Sequence, residues 1–472
     1  MRPPLPSDQD AGTFSRRIPL IVAAAFFMET LDATIVATAL PAMARSFDES
    51  TLDLTASITV YLVAMTVFVP TAGWASERFG ARNVFASAVA VFTLASLLCG
   101  ASPSLAALLA ARLLQGIAAA FMSPVGRLIV LRETPRHQII TAIGLIVWPG
   151  LIAPVIGPPL GGFIATYASW RWIFFVNIPF GLVGMYLVLR FVPKHAPGGR
   201  TRFDAIGFLL TAGALGALIH GLLQVARGAE DLTAGAAFVA FGIACGYAAV
   251  RHALVHPSPM LDLAGVAVPT FCISTLTAGF AARVAISMTP FLLPLMFQIG
   301  FGVSAFDAGI MLLVYMVGNL AMKSVTTPLL HRFGFRDVIR VNGVLCAASL
   351  VACGMVSPIV PVPVVYGVLL VAGMTRSMNF TAMSTLAFAD VSGPLRAGAT
   401  TLSAMTQGAA SALGVAAAAV ALGAFQTLRA GTELAPGDFR NAFFVAAAVM
   451  AIAVLWSLRL PADAGAELSR RT

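Results

Sequence analysis

Arg78-Phe79-Gly80-Ala81-Arg82-Asn83-Val84 closes one membrane-length apolar run, and Arg332-Phe333-Gly334-Phe335-Arg336-Asp337-Val338 closes another in the second half of the chain. A membrane protein that repeats a loop at half-length is commonly built as two related bundles around a central path. That architecture is typical of transporters.

Working outward from the repeat, 59% of the 472 residues are apolar and only 10% are charged. With a mean hydropathy of +0.90, the chain lies outside the composition of soluble domains. A helix needs ~20 mostly apolar residues to cross the hydrocarbon, which predicts about fourteen spans. They fall near 18–41, 54–75, 83–101, 105–126, 138–165, 171–191, 204–224, 232–250, 267–298, 305–328, 338–358, 363–388, 398–426 and 438–459. The run 267–298 has no turn-length polar break and reads as one tilted helix.

The expected fold is an all-α membrane protein with a cytoplasmic tail at 1–17, a six-helix bundle at 18–191, connectors with an inserted helix pair at 192–262, a second six-helix bundle at 263–460 and a cytoplasmic tail at 461–472. Cytoplasmic loops carry the excess of Lys and Arg. Placing both tails in the cytoplasm assigns 20 basic residues to that side and five, Arg45, Arg171, Arg227, Arg429 and Arg440, to the other. Topology thus accounts for the net charge of +9, and nucleic-acid binding is not needed. The first span continues past signal-peptide length with no small-residue cleavage site, so no removable leader is expected. The five cysteines form no CxxC pair and read as free thiols packed among helices.

No connector is long enough for a soluble catalytic domain. The two lysines, Lys194 and Lys323, follow Pro193 and Met322, so the Gly-Lys of a phosphate-binding loop is absent. No cofactor is expected, and an ion gradient, the substrate gradient or a partner must supply the energy.

A charge inside the bilayer costs at least ~2.5 kcal/mol and marks a candidate functional group. Glu29 and Asp32 sit at i and i+3, on one face of the first helix. Burial opposes a carboxylate's charge and a nearby guanidinium favours it, so a substrate that alters either influence exchanges with a proton. Arg112, Arg283 and Arg376 are the intramembrane arginines, and Arg112 is expected to pair with the first-helix acids. Arg283 and Arg376 either lock helices or touch substrate, and Gln115, Phe380 and Met383 complete the candidate cavity. Lys323 lies near a helix end and is expected to snorkel.

The fifth run carries Pro149-Gly150, Pro154, Gly157-Pro158-Pro159 and Gly161-Gly162. Proline removes a backbone donor and bends a helix, while small residues admit close approach; this predicts a kinked, tightly packed helix. His252 and His256 have i, i+4 spacing but no evident third ligand in their short connector, so no metal site is expected.

These residues resemble the major facilitator superfamily, and within it the fourteen-span drug:proton antiporters, over about 15–460. Leu31-Asp32-Ala33-Thr34-Ile35-Val36 through Ala39-Leu40-Pro41 resembles that group's first-helix motif, whose acid is linked to proton coupling. Gly73-Trp74-Ala75-Ser76-Glu77-Arg78-Phe79-Gly80-Ala81-Arg82 resembles the superfamily's loop signature, which gates the cytoplasmic side. Arg112-Leu113-Leu114-Gln115-Gly116 resembles its fourth-helix arginine motif, and the fifth-run cluster its antiporter motif. Glu77 stands where the gating motif usually has Asp, and Ala153 where the antiporter motif usually has Gly. Glu29 lies outside the motif.

The resemblance implies a proton-coupled multidrug efflux transporter, working by alternating access in a bacterial-type inner membrane. Asp32 and Arg112 would couple the proton, with Glu29 added from its place on the same helix face alone, and Gly73, Glu77, Arg78, Gly80, Arg82, Arg332, Gly334 and Arg336 would form the cytoplasmic gate. The expected partners are the lipid bilayer, a small-molecule substrate and protons, with a monomer as the working unit. Three intramembrane arginines against two carboxylates leave an exporter of small organic anions or their metal complexes as an alternative. A gated channel and a membrane sensor are the alternatives of another class; the short tails argue against a sensor. The chain carries neither a metal cluster nor a nucleophile-base pair that would suggest an enzyme.

Overall fold

The computed structural model describes residues 16–194, 203–227 and 232–466. Most of both expected tails, and with them Arg2, Arg200, Arg202, Arg470 and Arg471, lie outside the described residues. No strand occurs among those described. The long helices are α1 (Arg17–Ile35), α2 (Thr51–Phe68), α3 (Ala81–Gly100), α4 (Leu105–Glu133), α5 (Ile139–Tyr167), α6 (Asn177–Phe191), α7 (Ala205–Arg227), α8 (Leu232–Val255), α9 (Ala278–Leu295), α10 (Ala305–Phe333), α11 (Phe335–Met355), α12 (Val362–Leu386), α13 (Arg396–Leu428) and α14 (Pro436–Ser457).

Among the described residues, 13 helical stretches are long and apolar enough to cross a membrane. α12 has 25 residues and hence the length, but it carries Arg376, Asn379 and several hydroxyls and is not among the 13. Two expected spans differ in detail. The run expected at 54–75 breaks at Val69-Pro70 into α2 and a short helix, Thr71–Phe79, because proline cannot donate to the preceding turn. The run expected as one uninterrupted helix at 267–298 is a single stretch, Pro269–Gly300, with wider π-type turns at Cys272–Leu276 and Met296–Gly300 on either side of α9. Such turns shift the helix face by about one residue.

The repeat extends beyond the quoted loops. Ser50 caps α2 by accepting from the Asp53 amide at 3.1 Å, and Ser304 caps α10 by accepting from the Asp307 amide at 3.1 Å. In both cases the serine hydroxyl also donates to the aspartate at 2.6 Å. At the other end, Gly80 stops the short helix Thr71–Phe79 that follows α2, and Gly334 stops α10, with φ of 83° and 76°. A side chain is strained in that region, whereas glycine enters it freely. The same capping chemistry thus begins the second long helix of each half and ends the helical run that starts there.

α7 packs against α8 and also against α2 and α13, one helix from each half. α8 is peripheral: only 11% of its spanning window is buried, and Phe241, Ile243, Tyr247 and Leu254 are exposed. Surface of that kind requires lipid.

The hydrogen bonds between the halves are confined to one end. Gln298 Nε2 donates to the Thr38 carbonyl at 3.0 Å, and the Phe306 amide donates to Thr166 Oγ1 at 3.1 Å. Phe306 also lies edge-on to Phe163 and Tyr167. α5 and α10 approach backbone to backbone there, Gly162 against Ala305 and Gly309 against Pro158. These residues all lie at the helix ends remote from Arg17. At the end nearer Arg17, no hydrogen bond or ion pair joins the halves among the described residues.

Candidate functional site

Asp32 is completely buried on α1 and gathers side chains from two other helices. Its Oδ2 accepts from Arg112 Nη1 of α4 at 2.6 Å, and its Oδ1 accepts from Gln115 Nε2 of α4 and Asn177 Nδ2 of α6, both at 2.9 Å. Gln115 Nε2 also donates to Ser96 Oγ of α3 at 2.9 Å, and Gln115 Oε1 accepts from Arg112 Nη1 at 2.6 Å. Arg112 Nε donates to the Ser57 carbonyl at 3.0 Å, while the Tyr61 ring covers the guanidinium at 4.3 Å. A buried ion pair is tenable only where its groups keep hydrogen-bond partners, and here both Asp32 oxygens and Arg112 Nε and Nη1 have them.

The expected pairing of Arg112 with a first-helix acid is present, and the acid is Asp32. Glu29 also faces α4, where its Oε2 accepts from Ser123 Oγ at 2.8 Å. The two acids share a helix face but not a network. Gln115 was expected in the substrate cavity; it is instead wholly enclosed, with its amide committed to Asp32 and Ser96. Asn177, Ser96, Ser57 and Tyr61 were not anticipated. Asn177 is the residue the sequence could have offered, as a lone carboxamide in an apolar run.

Small residues make the enclosure possible. Gly157 meets Thr34, Gly161 meets the Ile35 carbonyl and Thr38, and Gly116 meets the Tyr61 carbonyl, each too closely for a Cβ. Within the predicted cluster, then, Gly157 and Gly161 seat α5 on α1 beside Asp32, and Gly162 seats it on α10. Gly150 faces open space. Pro149, Pro154 and Pro158 lie inside α5, which continues through them to Tyr167.

In the second half, Arg283 of α9 is buried. Its Nη1 donates to the Ser274 carbonyl at 3.1 Å and its Nη2 to Ser384 Oγ at 3.4 Å, the Phe380 ring lies 5.9 Å away, and Nε has no partner. Arg376 of α12 is half-buried, with Nη1 3.7 Å from Met316 Sδ and the guanidinium 5.5 Å from the Tyr315 ring. Among the described residues, neither arginine has a carboxylate within salt-bridge distance. Met383, expected to line a cavity, is 2% exposed and packs with Met378 and Leu386. It is a core residue.

Of the predicted gate, Gly80 and Gly334 are the helix stops described above, and Gly73 faces open space. Arg82 donates to the Leu189 carbonyl of its own half, and in the second half Arg340 donates to the Leu458 carbonyl at 2.7 Å. Among the described residues, Arg78, Arg82, Arg332 and Arg336 form no ion pair across the halves. In this conformer the hydrogen bonds between the described residues of the two halves lie at the opposite end.

Near the inserted pair the structure brings Asp204 next to His252 and His256, whose short connector offered no third candidate ligand.

Repeated helical halves, tied at one end and enclosing a buried ion pair among their helices, define a membrane carrier and not an enzyme. The chain belongs to the Major Facilitator Superfamily, whose family model matches residues 22–415 and again 275–471. It is 36% identical over 445 residues to multidrug resistance protein MdtD of Pectobacterium carotovorum, covering 94% of this chain and 95% of the relative. It is 36% identical over 463 residues to MdtD of Citrobacter koseri, covering 96% of each. Among solved structures, the fold matches a D-xylose-proton symporter with a TM-score of 0.67 at 13% identity, over 95% of this chain and 98% of that one. A POT family transporter in complex with 5-aminolevulinic acid matches with a TM-score of 0.69 at 13% identity, over 98% of both chains.

Proposed function

We propose that this protein is a proton-coupled exporter of small molecules of the multidrug type, resident in a bacterial inner membrane with both termini cytoplasmic. In this reading α12 is the fourteenth span, residues 18–191 and 263–460 are the rocking bundles, and the inserted pair lies between them as a monomer works. The main support is the fully buried Asp32–Arg112 pair, held by Gln115 and Asn177. The MdtD relatives support the substrate class.

Proton binding at Asp32 neutralises the group on which α1, α4 and α6 converge. Arg112 then loses its counter-ion, and Gln115 and Asn177 lose a charged acceptor, so the packing of these helices against one another weakens. Loss of the proton restores the ties. Because Asp32 has no exposure here, the exchange takes place in another conformer, and the rocking that exposes Asp32 also moves the substrate path. Glu29 provides a second carboxylate closer to the cytoplasmic end, and the two loops around Gly80 and Gly334 close that end.

The test is substrate-dependent proton movement in sealed proteoliposomes under an imposed pH gradient. Wild type is expected to couple the two fluxes, and Asp32→Asn to lose the coupling while remaining folded. Proton-driven transport retained by Asp32→Asn would overturn the assignment.

A second reading, export of organic anions, is favoured by the two intramembrane arginines without carboxylate partners. Small carboxylates would then trigger proton flux where lipophilic cations do not, and Arg283→Leu would abolish that response. A response to lipophilic cations alone would exclude this reading.

A further inference from the structure

The two ends of the inserted helix pair converge on one carboxylate. Asp204 precedes the first residue of α7, and its Oδ1 accepts from the Gly207 amide at 2.9 Å. The same oxygen lies 2.8 Å from His252 Nε2, on the last turns of α8, and Oδ2 accepts from the Met260 amide at 3.0 Å. His256, one turn after His252, stacks on it at 4.8 Å between ring centroids. One ligand atom from each of Asp204, His252 and His256 lies within 4.8 Å of the others. The Asp204 side chain is 4% exposed and that of His252 is 17% exposed, so the carboxylate is buried and the imidazole partly exposed.

We propose that Asp204, His252 and His256 form a binding site for a divalent transition-metal ion of the zinc type. The donor set, two imidazoles and one carboxylate, is a common three-ligand arrangement for such ions, with water in a fourth place. Bonds of about 2.0–2.1 Å around a tetrahedral ion separate its ligand atoms by about 3.3 Å. Asp204 Oδ1 and His252 Nε2 are 2.8 Å apart, and all three ligand atoms lie within 4.8 Å of one another, so the three groups are already gathered on the scale of one ion. The carboxylate is already oriented by the Gly207 and Met260 amides, the outer-shell support that metal-binding carboxylates require. The Ser258 amide approaches His256 Nδ1 at 3.3 Å. That long contact is the one to give way, whichever ring nitrogen binds the ion.

The site's place in the fold suggests its use. Phe203, the residue before Asp204, packs against Trp74 of the Gly73–Arg82 loop motif at 4.8 Å and against Phe208 at 5.7 Å, while Phe208 packs on Phe68 at 5.0 Å. On its other side the cluster holds Met260, in the connector that leads to the second half. An ion here would tie that connector to both ends of the inserted pair, next to the Phe203–Trp74 contact with the helix Thr71–Phe79.

The experiment uses full-length, tag-free protein in nanodiscs, equilibrated with Zn2+ and separately with Co2+. Wild type is expected to retain about one Zn2+ through desalting and to give the visible absorption of four-coordinate Co2+. His252→Gln/His256→Gln, which leaves the Asp204 helix cap intact, is expected to bind at least tenfold more weakly and to lose the Co2+ spectrum while eluting as a monodisperse protein. His256→Gln alone should show an intermediate affinity. Equal Zn2+ binding by wild type and the double variant, or no Zn2+ retained by wild type, would overturn the proposal.

Discussion

At Asp32 the energetics of a single buried pair decide what a substitution does. Removing one member leaves the other's charge in a low-dielectric surround, a loss of about 3–5 kcal/mol. Arg112→Leu is therefore expected to lower the thermal stability of the purified protein sharply, and the double variant Asp32→Asn/Arg112→Leu to recover part of it, because no orphaned charge remains. A double variant no more stable than Arg112→Leu alone would mean that the pair is not coupled. Asn177 makes a more selective probe. It supplies one hydrogen bond to a charged acceptor, worth about 1.5–3 kcal/mol. Asn177→Leu should reduce proton-driven transport by about tenfold or more while leaving a folded protein, and Ser123→Ala beside Glu29 should reduce it less. Asp32 and Arg112 were legible in the sequence because an ionised group in an apolar run is conspicuous. Ser96, Ser57 and Tyr61 were not, because hydroxyls occur throughout such runs, and only packing shows which of them meet a charge.

At the scale of the element, α5 separates what a motif shares from what each residue does. Four glycines of one cluster look alike in sequence, yet three lie against backbone or side chains of α1 or α10 and Gly150 faces open space. Gly161→Val and Gly162→Val should both abolish transport and lower stability, since each puts methyl groups into a neighbouring carbonyl. Gly150→Ala should be neutral or stabilising by about 0.5–1 kcal/mol, the usual gain from replacing a helical glycine with open space around it; parallel transport and melting measurements on the three variants decide the matter. The order of the long helices was readable because lipid demands long apolar runs, of which 13 among the described residues have the length and apolarity of a span. The break at Pro70 was signalled by its proline, whereas the π-type turns flanking α9 have no comparable mark in composition. The paired caps Ser50–Asp53 and Ser304–Asp307 were present in the sequence as two Ser-x-x-Asp phrases, and their equivalence becomes evident once the helices they start are placed in corresponding positions. The Asp204 cluster was hidden for a different reason: its ligands lie 48 positions apart, and only the antiparallel return of α8 along α7 brings them together.

For the whole molecule, the asymmetry between its two ends carries the mechanism. Every hydrogen bond between the halves among the described residues is at the end remote from Arg17, so this conformer is held closed there. Alternating access requires those ties to break in each cycle. Thr166 and Phe306 are suited to test this, since the Phe306 amide already touches the Thr166 side chain at 3.1 Å. A Thr166→Cys/Phe306→Cys pair should cross-link in the resting protein under mild oxidation. Cross-linking should stop transport, and a reductant should restore it. The native cysteines offer little background, because Cys99, Cys346 and Cys353 are buried, and each single variant controls for the rest. The same cross-link should leave Gly73→Cys, at the other end and facing open space, reactive towards a water-soluble maleimide added to that side of the membrane. Transport that continued at full rate in the cross-linked protein would show that the remote end need not open, which a carrier cannot tolerate and a fixed channel can.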